Sequence, residues 1–158
     1  MATLFDHETK EYDYEIVVPG DPQAWQRAGA RIAKTSKGKQ YISFYTKTET
    51  RNAEMKIAVI GKRQSPRQLL NTALRVDLFF YMPRPQGHYG TGRNASKVKP
   101  QFQYAYPTPK PDYDNLIKLT LDALTKVLWT DDSIVCQGWN EKKYSENPRT
   151  EIKIRILN

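Results

Sequence analysis

The sequence predicts an α+β domain with a mixed or antiparallel sheet and two main helices. Three observations carry that prediction. Residues 74–82, LRVDLFFYM, are β-branched and aromatic, and Pro83 stops them, as expected of a strand. Residues 113–126 have helical periodicity: Leu116, Ile117, Leu121, Ala123, Leu124 and, just beyond, Val127 and Leu128 fill one side of the wheel. Asp114, Asn115, Lys118, Asp122, Thr125 and Lys126 fill the other. Two more strand patterns, 133–143 and 150–157, follow around the turn Ser145-Glu146-Asn147-Pro148.

The remaining elements follow in chain order. Residues 14–18 form a short strand closed by Pro19-Gly20. Residues 25–32 and 40–45 pair as a hairpin across Ser36-Lys37-Gly38-Lys39. Residues 47–62 read as the first helix, with Ala53, Ile57 and Ile60 at helical spacing and Gly61 near its end. The segment 83–111 contains Pro83, Pro85, Pro100, Pro107 and Pro109 before Pro111, and a structureless stretch of that length is usually functional or mobile. Within it Phe102, Tyr104 and Tyr106 alternate. That alternation favours a short strand packed on the core, and the alternative is a set of rings that stack on exposed bases. Lys142 and Lys143 fall at the turn end of a strand, in reach of phosphate or merely solubilising an edge.

A chain of 158 residues is one domain by length, spanning 1–158 with 1–13 as a flexible tail. At 39% hydrophobic and 27% charged residues its composition is that of an ordinary soluble protein. It has no apolar run of the ~18 residues that span a membrane, and its polar beginning, MATLFDHETKEYDYE, lacks the apolar core of a signal peptide. A cytoplasmic protein is expected. The one cysteine, Cys136, excludes an internal disulfide and reads as a buried thiol in an apolar strand. Two histidines, His7 and His88, are too few for a zinc site or a Ser-His-Asp triad to be a good reading.

The formal charge of +8 points to an anionic partner, and its distribution is more informative than its size. Between 22 and 48 there is no acid, against Arg27, Arg31, Lys34, Lys37, Lys39 and Lys47. Between 83 and 110 there is again none, against Arg84, Arg93, Lys97, Lys99 and Lys110. Any single lysine here reads as solvated surface, but the set suits a phosphate backbone. A membrane surface fits less well, because neither stretch is an amphipathic helix.

Against this basic background, four carboxylates bracket the second helix: Asp112 and Asp114 open it, and Asp131 and Asp132 follow it. Asp112 after Pro111 is also a good N-cap, and negative charge is favoured there, so a lone acid would be read as a cap. Two acids, Lys118 one turn on and a second acidic pair tip the balance towards chemistry. Magnesium takes a few carboxylate oxygens and keeps waters for its other positions, which is the protein's usual contribution to phosphodiester cleavage. Lys118 would donate to the scissile phosphate or hold a carboxylate; its bland reading is a surface pair with Asp114.

The runs PDYDNLIKLTLDAL and VLWTDDSIV resemble the RusA family of Holliday junction resolvases, many of them carried by phages and prophages. Val18-Pro19-Gly20 followed by arginines resembles the start of that family as well. The resemblance implies a RusA-like α+β fold and a magnesium-dependent endonuclease resolving four-way DNA in recombination and repair. It further implies Asp112, Asp114 and Asp132 as metal ligands, Lys118 as the catalytic lysine, and a homodimer. The basic residues assigned to DNA are Arg27, Arg31, Lys34, Arg93, Lys97 and Lys99. The competing readings are a noncatalytic DNA-binding module and a related flap or RNA nuclease.

Distance raises a question. An unbroken helix over 113–126 is about 20 Å long at 1.5 Å per residue, yet carboxylates sharing a metal converge within a few ångströms. Either residues 127–132 run back along the helix fully extended, or a two-fold partner with an antiparallel helix supplies the second set of acids.

Overall fold

Every second residue of Leu74–Pro83 (β4) is apolar, and Leu74, Val76, Leu78, Phe80 and Met82 are all buried on one face of the strand. A computed structural model describes residues 12–157 and places β4 at the centre of a five-stranded mixed sheet. Tyr14–Pro19 (β1) pairs antiparallel with Arg149–Ile156 (β7), and β7 pairs antiparallel with β4. On its other side β4 runs parallel first to Val135–Gln137 (β5) and then to Asn140–Ser145 (β6). The expected α+β fold with a mixed sheet and two main helices is therefore what the chain adopts. Of the expected 1–13 tail, residues 1–11 lie outside the described residues; the Tyr12 hydroxyl donates to Asp77, and the Asp13 carboxylate accepts from the Ile156 amide.

Both helices cover one face of the sheet. Thr48–Lys62 (α1) buries Ala53 and Ile57, and Tyr113–Leu124 (α2) buries Leu116, Leu119, Ala123 and Leu124. The helices meet closely at Gly61, where a Cβ would lie 2.6 Å from the Leu124 side chain, so this position is a packing requirement as well as a helix-end signal. The opposite face is polar: Arg149 lies 3.7 Å from the Tyr81 ring centroid, and the Lys143 ammonium lies near the same ring. Gly29–Lys34 (β2) and Gln40–Tyr45 (β3) form a separate two-stranded sheet, with Gly38 at φ +80° in the turn. This is the predicted hairpin with its first strand starting later.

Four sequence expectations need correction. The strand predicted over 133–143 is two strands broken at Gly138 and Trp139. There the backbone presses against β4: a Cβ on Gly138 would meet the Val76 carbonyl oxygen at 2.4 Å, and the Trp139 amide turns inward to donate to Asp77 at 2.6 Å. Cys136 is exposed, not buried, because it sits in a three-residue strand at the sheet edge. Phe102, Tyr104 and Tyr106 form no strand. Phe102 ends a 3₁₀ turn and stacks on His88 at 4.1 Å, while Tyr104 and Tyr106 point into solvent. The long proline-rich segment is not structureless either. It folds on itself through Gly90 N–H to Lys97 O, Lys99 N–H to His88 O and Arg84 to the Phe102 carbonyl.

Candidate active site

The entry to α2 is positioned from three sides. The Trp25 amide donates to the Asn115 carbonyl at 2.9 Å, tying the segment after β1 to the helix's first turn. The Tyr113 hydroxyl donates to the Asn140 carbonyl at 2.7 Å. From β6, Lys142 donates to the Pro109 and Pro111 carbonyls, both at 2.8 Å. Burial lowers the Lys142 ammonium from its ordinary value, and the charge of nearby Asp112 acts in the opposite direction.

Asp112 occupies the N-cap position in extended backbone, but its side chain makes no capping hydrogen bond. Capping therefore does not account for this carboxylate. It is exposed, as is Asp114 in the first turn, and neither side chain has a hydrogen-bond or ion-pair partner among the described residues. Asp112 stands on the ridge between two clefts of similar size. One, of about 560 Å³, has Asp21, Trp25 and Asn115 in its walls. The other, of about 570 Å³, is walled by Tyr106, Tyr113, Asn140 and Lys142.

Lys118 does not pair with Asp114. Its ammonium lies 2.9 Å from Asp122 and 5.3 Å from the centre of the Trp25 ring. Glu54 on α1 belongs to the same group: burial pushes its carboxyl up, Asp122 pushes it further, and Lys118 and Arg51 oppose the shift. Lys118 thus lies along α2, paired within that helix and turned to the Trp25 side of the helix entry.

Asp131 and Asp132 lie at the opposite end of α2. The helix stops at Leu124, two residues earlier than predicted, because Lys126 adopts φ +63° and its amide turns to the Trp129 carbonyl. The chain does not run back along the helix. It turns within 125–129, pairs with Leu70 and enters a 3₁₀ turn at Asp132–Ile134. Asp131 caps that turn by accepting from the Ser133 amide at 3.0 Å, and Ser133 holds its carboxyl below the ordinary value. Along β4, Val135 pairs with Leu74 and Lys142 with Phe80, so the two acidic ends are separated by roughly 20 Å at about 3.3 Å per residue. Among the described residues no three His, Cys, Asp or Glu side chains come together as a metal site. The all-oxygen donors Asp112 and Asp114 suit a hard divalent cation in kind, and among the described residues no set of three such donors is assembled around them.

Residues 19–155 match the family described as "Endodeoxyribonuclease RusA". The chain belongs to the RusA family. It is 26% identical over 147 residues to "Crossover junction endodeoxyribonuclease rusA" of Lactococcus phage r1t, covering 92% of this chain and 97% of the phage protein. It is 32% identical over 99 residues to "Uncharacterized protein YqaN" of Bacillus subtilis (strain 168), covering 63% of this chain and 68% of that one. The matched region of the family contains the whole of α2, both acidic pairs and both acid-free basic stretches.

Of the basic residues selected for DNA, Arg27, Arg31 and Lys34 are exposed at and along the hairpin, and Arg93 and Lys97 are exposed on the folded proline-rich segment. Lys99 is different: its ammonium donates to the Gly87 carbonyl at 2.9 Å and holds that segment together. Sequence reasoning missed Trp25 as a wall of the site and left Lys142 undecided. Neither has a local signal, since both reach the helix entry through tertiary contacts. No helix among the described residues is long and apolar enough to cross a membrane.

Proposed function

We propose that this RusA-family chain is a magnesium-dependent endodeoxyribonuclease that resolves four-way DNA junctions in recombination and repair, acting as a homodimer. The observation that carries the reading is Asp112: an N-cap residue whose carboxylate does no capping and stands between two clefts. Asp112 and Asp114 hold the cation, and Asp132 of a second copy completes the donor set. Bound magnesium supplies a water made acidic enough to attack and a counter-charge at the scissile phosphate. Lys118 stabilises charge on that phosphate, and Asp122 with Trp25 fixes where its ammonium sits. The arms of the junction lie along the two acid-free stretches, contacted by Arg27, Arg31 and Lys34 of the first and by Arg93 and Lys97 of the second. The name of the phage relative supports the same substrate.

The test is Asp114→Asn on a synthetic four-way junction with magnesium. Binding should persist and cleavage should vanish. A wild type that binds the junction but leaves it intact, while a control resolvase cuts it, would turn the reading to a noncatalytic DNA-binding module. Faster cleavage of a flap or an RNA hairpin than of the junction would change the substrate and keep the chemistry.

A further inference from the structure

The β2–β3 hairpin is built unlike the rest of the molecule. Its two strands pair only with each other, and two-stranded ribbons are marginal in water by themselves. In the register Ile32 opposes Ile42 and Ala30 opposes Phe44, so these four residues share one face. That face is bare: Ile32 is 71% exposed, Ile42 65% and Phe44 72%. The other face is organised around Tyr45, whose ring covers Gly29 so closely that a Cβ there would lie 2.4 Å from it, with Arg31 above the ring at 5.8 Å. Lys34, Lys37 and Lys39 surround the tip. Both ends of the arm are rooted beside the candidate site, since the Gln26 amide donates to Thr50 and residues 21–26 wall the cleft of Asp112.

The charge decides what covers the apolar face. From 22 to 48 there is no acid, so a second copy of the hairpin would bring like charges together, and an acidic partner of stacked rings suits it instead. We propose that the hairpin is a wedge that enters the DNA branch point and packs Ile32, Ile42 and Phe44 against bases left unstacked at the crossover, its cations lying on the flanking phosphates. Apolar side chains flanked by basic ones open base steps in this way elsewhere. The inference rests on the junction reading above. Each strand of the arm has six residues and is about 20 Å long.

The experiment places 2-aminopurine beside the crossover of a synthetic junction, without divalent metal so that nothing is cut. Wild-type protein should raise its fluorescence severalfold on binding. Ile32→Ser, Ile42→Ser and Phe44→Ser together should abolish the rise and lower the preference for junction over linear duplex about tenfold, because stacking on bases is lost while the cations remain. Phe44→Ser alone should give an intermediate loss, with melting temperature as the control for folding. A triple variant that still raises the fluorescence, or a wild type that binds the junction and never raises it, overturns the wedge and leaves the nuclease reading standing. A triple variant that falls from dimer to monomer assigns the face to self-association instead. If the wild type does not prefer junction to duplex, the junction reading fails and the wedge with it.

Discussion

Lys142 on β6 donates to the carbonyl oxygen of Pro111 at 2.8 Å, one residue before Asp112, so the strand edge and the helix entry are fixed to each other. Replacing this lysine should loosen the carboxylate without removing it. Lys142→Met is expected to lose about 1 kcal/mol of stability, the net value of such hydrogen bonds, and to slow single-turnover junction cleavage about tenfold. Junction affinity should change far less. Equal losses in binding and cleavage would make Lys142 a phosphate contact, the role its place near the turn first suggested.

Lys118 and Asp122 separate positioning from chemistry. Lys118→Met should slow cleavage about a hundredfold at saturating enzyme, in the range seen when a preorganised charge-stabilising donor is removed. Asp122→Asn leaves the ammonium in place but frees it, so about tenfold is expected, with Asp122→Glu restoring most of the rate. A pair this exposed contributes only tenths of a kcal/mol to folding, so melting temperatures should hardly move. A large melting shift with proportionate loss of rate would reduce both residues to helix packing.

The acid limb of stability should belong to Asp77. Burial pushes its carboxyl up, but hydrogen bonds from Arg75, the Trp139 amide and Tyr12, with the charge of Arg75, outweigh it and leave it below the ordinary 3.8. A depressed carboxyl stabilises the folded state above its unfolded value and loses that contribution as pH falls through the folded one. Asp77→Asn should therefore lower the melting temperature at pH 7, by an amount corresponding to about 2 kcal/mol, and flatten its fall as the pH drops below the ordinary carboxylate value of 3.8. Parallel pH curves for the two proteins would show that other carboxylates dominate.

The sheet, both helices and the acids at the start of α2 were legible in the sequence because periodicity and helix-entry chemistry are local. What was not legible depended on contacts between distant segments. Gly138 breaks a strand only because Val76 lies against it, and Lys126 ends a helix in a left-handed turn that its polarity does not announce. Cys136 looked apolar in sequence and is exposed because nothing pairs with β5 on its outer edge among the described residues. The selection of Lys99 with Arg93 and Lys97 treated three cations alike, whereas one of them binds the protein's own backbone.

That difference is measurable. Removing a cation that neutralises one phosphate should reduce the slope of log affinity against log salt by about 0.9. Replacing Arg93, Lys97 and Lys99 together should flatten the junction-binding slope by about 2, with Lys99→Ala alone leaving it nearly unchanged and lowering stability instead. An unchanged slope in the triple variant would remove the second basic stretch from the DNA surface, and a drop of about 3 would place Lys99 on phosphate as well.

Where Asp132 acts is the remaining question, and the geometry narrows it. Within one chain α2 has 12 residues, about 18 Å of helix, between Asp112 and the turn that leads to Asp132, and the chain after the helix does not return. A two-fold partner with an antiparallel helix would place the N-terminal acids of one subunit beside Asp132 of the other, an arrangement suited to making two symmetric cuts. Asp114→Asn and Asp132→Asn are each expected to be inactive. Mixed and allowed to exchange subunits, they should regain nicking, because one of the two shared sites in each heterodimer is wholly wild type. Magnesium should also raise the melting temperature of the wild type more than that of Asp114→Asn, since a cation bound in a shared site would relieve repulsion between the acids brought together there. Self-contained sites would leave every subunit with its own lesion, so a mixture that exchanges yet stays inactive would rule out Asp132 as a ligand in trans.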